Sequence, residues 1–141
     1  MKKVLFTLLG FFIMGLAFSQ EAFICLPSSK TGFVFNVNTK NWDQANFKTS
    51  DEKKILKRNG KKWEWRIFGR KDGWSDCGGD DFGVGEDFNS AGVIFCSVFG
   101  GHMRMNKNSL RYIETYELGF IDGKDQTGNT PLIGIGTCSP L

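Results

Sequence analysis

An acidic, glycine-rich segment, residues 72–90, is the first place to look for chemistry. It contains six acidic residues and no Lys or Arg. Carboxylate oxygens on a loop that glycines allow to turn sharply could coordinate Ca²⁺, which takes six to eight oxygen ligands. The spacing fits neither the EF-hand loop nor a repeated Gly-Gly-x-Gly-x-Asp motif. We therefore predict a solvated loop without a metal ion or other cofactor, whose Asp76, Asp80 and Asp81 contact a partner.

Catalysis would have to use His102, the single histidine of the chain. Ser90, Ser97 and Ser109 lie near it in sequence, but none sits in a Gly-x-Ser-x-Gly turn. Two carboxylates of the acidic segment could act together in glycoside hydrolysis, although a loop is a poor frame for a fixed carboxyl separation. The prediction is a protein that is not an enzyme, with an uncharacterised hydrolase as the last alternative.

Aromatic residues are abundant, with 14 Phe, four Trp and two Tyr. Most of them fit the inward faces of strands. The residues expected in the core are Trp63, Trp65, Phe33, Phe35 and Phe95. Trp42 and Trp74 lie beside polar segments instead, where an indole can stack on a sugar or anchor a protein partner. These two tryptophans are therefore candidate binding residues.

The four cysteines are Cys25, Cys77, Cys96 and Cys138. An even number in a small exported chain indicates two disulfides, and three pairings are possible. We favour Cys25–Cys138 and Cys77–Cys96, because Cys25 and Cys138 each lie in an apolar segment near one end of the chain. A zinc site is disfavoured because no Cys-x-x-Cys is present and His102 has no ligand spacing.

The amino terminus predicts export. Lys2 and Lys3 precede an apolar run at residues 4–17, which is shorter than the roughly 20 residues that a membrane span needs. Small residues, Ala17 and Ser19, follow at the two positions that a signal peptidase reads. We predict a signal peptide at residues 1–19, a single β domain at residues 20–141, a periplasmic or secreted location, and no stable membrane insertion after removal.

Charge gives no case for nucleic acid as a partner. The signal segment holds two of the 18 basic residues, so residues 20–141 carry 16 basic and 15 acidic side chains. Ten of the basic residues lie between positions 48 and 71, directly before the acidic segment. The separation of basic and acidic segments has two explanations. The charged residues can be solvated strand faces that aid solubility, or they can form a surface that binds a protein or glycan partner.

Short strands dominate the rest of the chain. Trp63, Trp65 and Ile67 alternate with charged residues, which is the pattern of a half-buried strand. Residues 92–99 are apolar on both faces, as in a central strand. A first strand is expected to end at Pro27, before a turn at residues 28–32. No long amphipathic helix is visible, so we predict an all-β fold, a small antiparallel barrel or sandwich of about eight strands stapled by disulfides.

Four segments together resemble small exported bacterial two-disulfide proteins of no assigned function: residues 23–25, 92–96, 110–112 and 130–138. These motifs are structural, so the resemblance implies a fold and no activity. The chain is also loosely similar to periplasmic lysozyme-inhibitor barrels. Their inhibitory Ser-Gly-x-x-Tyr segment is not matched by Ser90-Ala91-Gly92-Val93, which limits that similarity to the fold.

These observations predict an exported, non-enzymatic protein that binds a macromolecular partner of the envelope or the extracellular space through its loops. A barrel that holds a small apolar ligand inside is the first alternative.

Overall fold

The computed structural model describes residues 22–70, 75–79, 86–98, 100–125 and 128–141, and within them the chain forms nine strands and no helix. The strands are β1 (Ala22–Asn36), β2 (Asn41–Asn46), β3 (Lys54–Asn59), β4 (Lys62–Ile67), β5 (Ser75–Gly78), β6 (Val93–Val98), β7 (Gly101–Asn106), β8 (Arg111–Tyr116) and β9 (Leu132–Pro140). The all-β prediction is confirmed. The predicted site residues Trp74, Asp80 and Asp81 lie outside the described residues.

The strands close into an antiparallel barrel. Each strand from β3 to β8 pairs with the next along the chain, and β9 pairs with β1. One edge of β1 pairs with β9. Along its other edge, the first four residues of β1 pair with β3 and its last six residues pair with β2. The barrel therefore has eight strands, and β2 lies beside it as a ninth. Closure leaves no free edge where the ring is complete.

β1 does not end at Pro27, and no turn forms at residues 28–32, so that prediction is wrong. The pairing with β9 shifts between Pro27 and Ser29, where β1 has one more residue than its partner. A one-residue shift exchanges the two faces of a strand. Cys25 points inward before this bulge, and Lys30 points inward after it.

The same bulge explains why Phe33 is not in the core. Its side chain is half exposed, on the outer face of the barrel, and Phe35 and Phe95 are only partly buried. The expectation of a core position is wrong for these three residues. Trp63 and Trp65 are buried as predicted, in one cluster with the side chains of Met103 and Met105.

β1 and β2 form a two-stranded ribbon, residues 31–46, which extends from the barrel after Gly32, where the pairing of β1 with β9 ends. Asn36 shapes its turn, because the Oδ1 atom accepts hydrogen bonds from the backbone N–H groups of Asn38 and Thr39 at 3.1 and 3.3 Å. Lys40 closes the turn with a positive φ of 58°. The β7–β8 turn repeats this arrangement between Asn106 and Leu110.

Both predicted disulfides are present. Cys25–Cys138 joins opposite residues of β1 and β9, so it fastens the barrel where its first and last strands meet. Cys77–Cys96 joins opposite residues of β5 and β6. β5 lies in a region expected to be a loop, and that expectation is wrong for Ser75–Gly78, which pairs with β4 and β6 and turns Cys77 towards the interior. Two disulfides are consistent with an oxidising environment.

Candidate functional site

A groove on the outside of the barrel contains Trp42, and we call it the Trp42 groove. It has a volume of about 610 Å³ and runs between the ribbon, the outer faces of β8 and β9, and the turn after β8. Its apolar lining consists of Phe33, Trp42, Phe120, Ile121, Pro131, Leu132 and Ile133. Trp42 is thus one of the predicted binding residues that the structure places in a concave apolar site.

Trp42 is held by two aromatic neighbours. Its ring centroid lies 5.5 Å from that of Phe35 on the adjacent strand and 5.9 Å from that of Phe120, in an edge-to-face arrangement. Phe120 and Ile121 are 60% and 69% exposed, so the wall opposite the ribbon faces solvent. Contacts of this kind fix the indole in one orientation and leave the groove open.

Gly32 brings the floor of the groove together. A Cβ atom at this position would lie 2.1 Å from the carbonyl oxygen of Pro131, so only glycine permits the approach of that segment. The backbone N–H of Phe33 donates a hydrogen bond to the same oxygen at 3.0 Å. The ribbon is therefore joined to the start of β9 by backbone contacts directly beneath the apolar side chains.

The groove carries little charge. Among the described residues that line it, Glu117 is the only acidic or basic residue. Its carboxylate is about half exposed, and Oε1 lies 3.8 Å from Nδ1 of His102. The rim is thus negative at one point, and the rest of the lining is neutral.

The structure does not bring the other predicted binding residue, Asp76, to the groove. Asp76 lies on β5, which β1, β3 and β4 separate from β2 in the sheet. Its carboxylate forms an exposed ion pair with Lys62, at 3.2 Å. Asp76 therefore balances the charge of a lysine on the neighbouring strand β4, as expected for a solvated surface.

Asp87, at the end of the acidic segment, has a structural role. Its carboxylate accepts hydrogen bonds from Nε1 of Trp63 at 3.0 Å, from the backbone N–H of Phe88 at 2.8 Å, and from Nη1 of Arg58 at 3.0 Å. Partial burial acts to raise the pKa of Asp87, but these donors outweigh it and lower the pKa below its ordinary value.

Replacing Asp87 with alanine is expected to lower the free energy of unfolding by about 1–3 kcal/mol, because the indole N–H of buried Trp63 loses its acceptor. Urea denaturation measures the change. Glu86→Ala is the matched control, since the Glu86 carboxylate is largely exposed and its one ion pair with a described residue is a long contact to Lys61. Equal losses in the two variants would contradict this role.

Four ionisable side chains meet inside the barrel: Lys30, Glu52, Lys54 and Glu114, which we call the ion cluster. Lys30 contacts both carboxylates, with Nζ 3.1 Å from Oε1 of Glu114, and Lys54 also contacts both, with Nζ 3.6 Å from Oε2 of Glu52. Three of the four are more than nine-tenths buried, and Glu52 is the exception. Ionisable groups this deeply buried are uncommon unless they are paired.

Space for the ion cluster comes from Gly134 on β9. It lies opposite Lys30 on one side and opposite Glu114 on the other. A Cβ atom there would lie 3.0 Å from Oε1 of Glu114 and 3.1 Å from Cγ of Lys30. A larger residue at position 134 would therefore press on both side chains.

Burial and pairing act against each other in the ion cluster. Burial acts to raise the pKa of Glu52, but the hydrogen bond and charge of Lys30 outweigh it and lower the pKa. Burial acts to lower the pKa of Lys30, and Glu52 and Glu114 reverse this and raise it. For Lys54 burial prevails, and the pKa is lowered. The cluster is thus stabilised by mutual pairing of groups that the interior alone disfavours.

Sequence reasoning missed the ion cluster. One signal was available, because Glu114 alternates with the aromatic residues Tyr112 and Tyr116 and so shares their strand face. An acidic residue on such a face indicates a buried partner. Lys30 could not be found in this way, since residues 28–32 were expected to form a turn.

A possible triad is incomplete. Ser97 lies opposite His102 in the β6–β7 pairing, and Glu117 lies near the imidazole. No side-chain hydrogen bond within the described part of the chain joins Ser97 to His102, and the histidine is about half exposed. The aligned bonds that activate a serine nucleophile are therefore missing.

The described ranges contain no group of three or more His, Cys, Asp or Glu side chains arranged to hold a metal ion. Those same ranges include no helix of the length and apolarity needed to cross a membrane. Comparison of the chain with protein-family models, with curated proteins and with solved structures finds no match.

Proposed function

We propose that this chain is an exported binding protein, acting in the periplasm or outside the cell, that holds an apolar segment of a protein partner in the Trp42 groove. The observation that carries the proposal is an indole fixed by Phe35 and Phe120 in an open groove lined by exposed apolar side chains. Tryptophan in such a setting is a frequent centre of binding energy.

The apolar surface continues beyond the groove. Ile133 on the outer face of β9 is 43% exposed, and Ile135, two residues further, is 52% exposed and lies opposite Ile113 of β8. Soluble proteins seldom expose large contiguous apolar patches unless another molecule covers them. This favours a partner that is longer than a single side chain.

The lining favours a protein segment over a glycan. Sugars are bound through several polar side chains beside an aromatic ring, whereas this groove is mostly apolar. The Glu117 carboxylate at the rim suits a partner segment that carries a basic residue next to its apolar ones. A small apolar ligand inside the barrel has less support, because Trp63, Trp65 and the ion cluster lie in that interior.

Export rests on two independent features. The amino-terminal residues have the composition of a signal peptide, and two disulfides join all four cysteines. Cysteine pairs of this kind persist in oxidising compartments.

The test compares three variants of the oxidised protein in a pull-down from envelope extract. Trp42→Ala and Phe120→Ala should lose a protein that the wild type recovers, while Phe68→Ala should retain it, because Phe68 is an exposed aromatic outside the groove. Titration calorimetry with the purified partner should then show affinity at least tenfold weaker for Trp42→Ala, or about 1.4 kcal/mol or more. Recovery that is unchanged in both groove variants, or that Phe68→Ala reduces equally, would refute the proposal.

A further inference from the structure

We propose that Lys30 and Lys54 form a binding site for a small carboxylate ligand inside the barrel, and that the Glu52 side chain fills this site as a tethered occupant. The site is separate from the Trp42 groove and does not depend on the function proposed above. Its ligand class follows from the group that now occupies it.

The two ammonium groups converge on one atom. Nζ of Lys30 and Nζ of Lys54 both contact Oε2 of Glu52. Glu114 lies on the other side, and it bridges the same two lysines with its two carboxylate oxygens. Two lysines that share one oxygen of an incoming carboxylate are a direct means of recognising that group.

The occupant and its site belong to different parts of the fold. Lys30 and Lys54 lie on the barrel strands β1 and β3, and their side chains are more than nine-tenths buried. Glu52 lies between β2 and β3 on a surface segment, and its side chain is 36% exposed. The neighbouring residue Asp51 forms a solvent-exposed ion pair with Lys48. Outward movement of this segment would remove Glu52 from the site without separating any paired strands.

The charge balance favours an anion in the site. With Glu52 in place the ion cluster holds two positive and two negative groups. Without it, Lys30 and Lys54 retain one carboxylate, and a buried positive charge is left uncompensated. An unpaired buried charge is strongly unfavourable, so an available anion is drawn in.

A donor without a partner lies beside the cluster. The Tyr112 hydroxyl is buried and makes no hydrogen bond within the described part of the structure. Burial raises the pKa of Tyr112, and the negative charges of Glu114 and Glu52 raise it further, so the hydroxyl keeps its proton. Oε1 of Glu114 likewise receives no aligned hydrogen bond, although Lys30 is close to it. The interior therefore has hydrogen-bonding capacity that Glu52 does not use.

The experiment measures stabilisation of Glu52→Ala by acetate. Unfolding is followed at pH 7 in mixtures of sodium acetate and sodium chloride of constant ionic strength. Once acetate exceeds its dissociation constant, each tenfold increase should lower the unfolding equilibrium constant of Glu52→Ala tenfold. Over the same range of acetate concentration, the fold-change in the unfolding equilibrium constant of the wild type should be at least tenfold smaller, because its Glu52 carboxylate competes with acetate for the site.

Two controls make the result specific. Asp51→Ala removes a neighbouring exposed carboxylate and should respond as the wild type does. Glu52→Ala combined with Lys54→Met leaves Lys30 and Glu114 balanced, and it should lose the acetate effect. If Glu52→Ala does not fold in chloride, its refolding in acetate supports the site, and failure to refold in acetate contradicts it. Equal acetate responses of Glu52→Ala and Asp51→Ala would overturn the inference.

Discussion

Replacing Cys25 and Cys138 together with alanine is expected to lower the free energy of unfolding by about 5 kcal/mol in the chain-entropy model. The disulfide spans 113 residues, so its loss frees almost the entire unfolded chain. It also removes the covalent link between β1 and β9, where the barrel closes. Because small domains are stable by only about 5–15 kcal/mol, this variant should be close to unfolding at room temperature.

Guanidinium denaturation under oxidising conditions measures this loss. The second disulfide supplies the matched control, since Cys77 and Cys96 are 19 residues apart and also join neighbouring strands. Its removal is expected to cost about 3 kcal/mol by the same reasoning. An equal or larger loss from the shorter loop would show that native contacts, and not the entropy of the unfolded chain, determine what each disulfide contributes.

Glu114→Ala is expected to lower the free energy of unfolding by about 3–5 kcal/mol, because it leaves Lys30 and Lys54 in the interior with Glu52 as their one remaining counter-ion. Burial already lowers the pKa of Lys54, which means that its charged form is disfavoured. Removal of its closest carboxylate, Glu114, would disfavour the charged form further. Glu114→Gln keeps the shape of the side chain, and we expect it to lower the free energy of unfolding by less than Glu114→Ala does.

Urea denaturation at pH 7 checks this prediction, with Glu117→Ala as its control. Glu117 follows the same strand, and its exposed carboxylate makes two long contacts, 3.8 Å to His102 and 3.5 Å to the Thr115 hydroxyl, so its removal should change stability by no more than about 0.5 kcal/mol. A loss below about 1 kcal/mol for Glu114→Ala would mean that water reaches the ion cluster and pairs with both lysines.

The parts of the fold that sequence could predict are those where local pattern and burial agree. Trp63 and Trp65 alternate with charged residues, and they are buried as that pattern requires. The disulfide pairing followed from two cysteines in apolar segments at opposite ends of the chain. In each case a residue's own neighbours carried the information.

The bulge at Pro27 and Ser29 was not predictable, because it is a property of two paired strands. It turns Phe33 outward and Lys30 inward, which reverses what simple alternation implies. The Trp42 groove and the ion cluster both depend on this reversal. Trp42 itself was identified by its polar surroundings in sequence, whereas its contacts with Phe120 depend on a segment almost eighty positions away.

If the chain is exported as proposed above, the pairing of the first strand with the last also constrains how its disulfides can form. A chain threaded amino terminus first into an oxidising compartment presents Cys25 first, then Cys77 and Cys96, and Cys138 last. Oxidation in order of arrival would join Cys25 to Cys77, and thiol–disulfide exchange would then be needed to reach the native pairs. The Cys25–Cys138 disulfide can form only after the whole chain has been translocated. A chain whose translocation is incomplete would lack the covalent bond between β1 and β9.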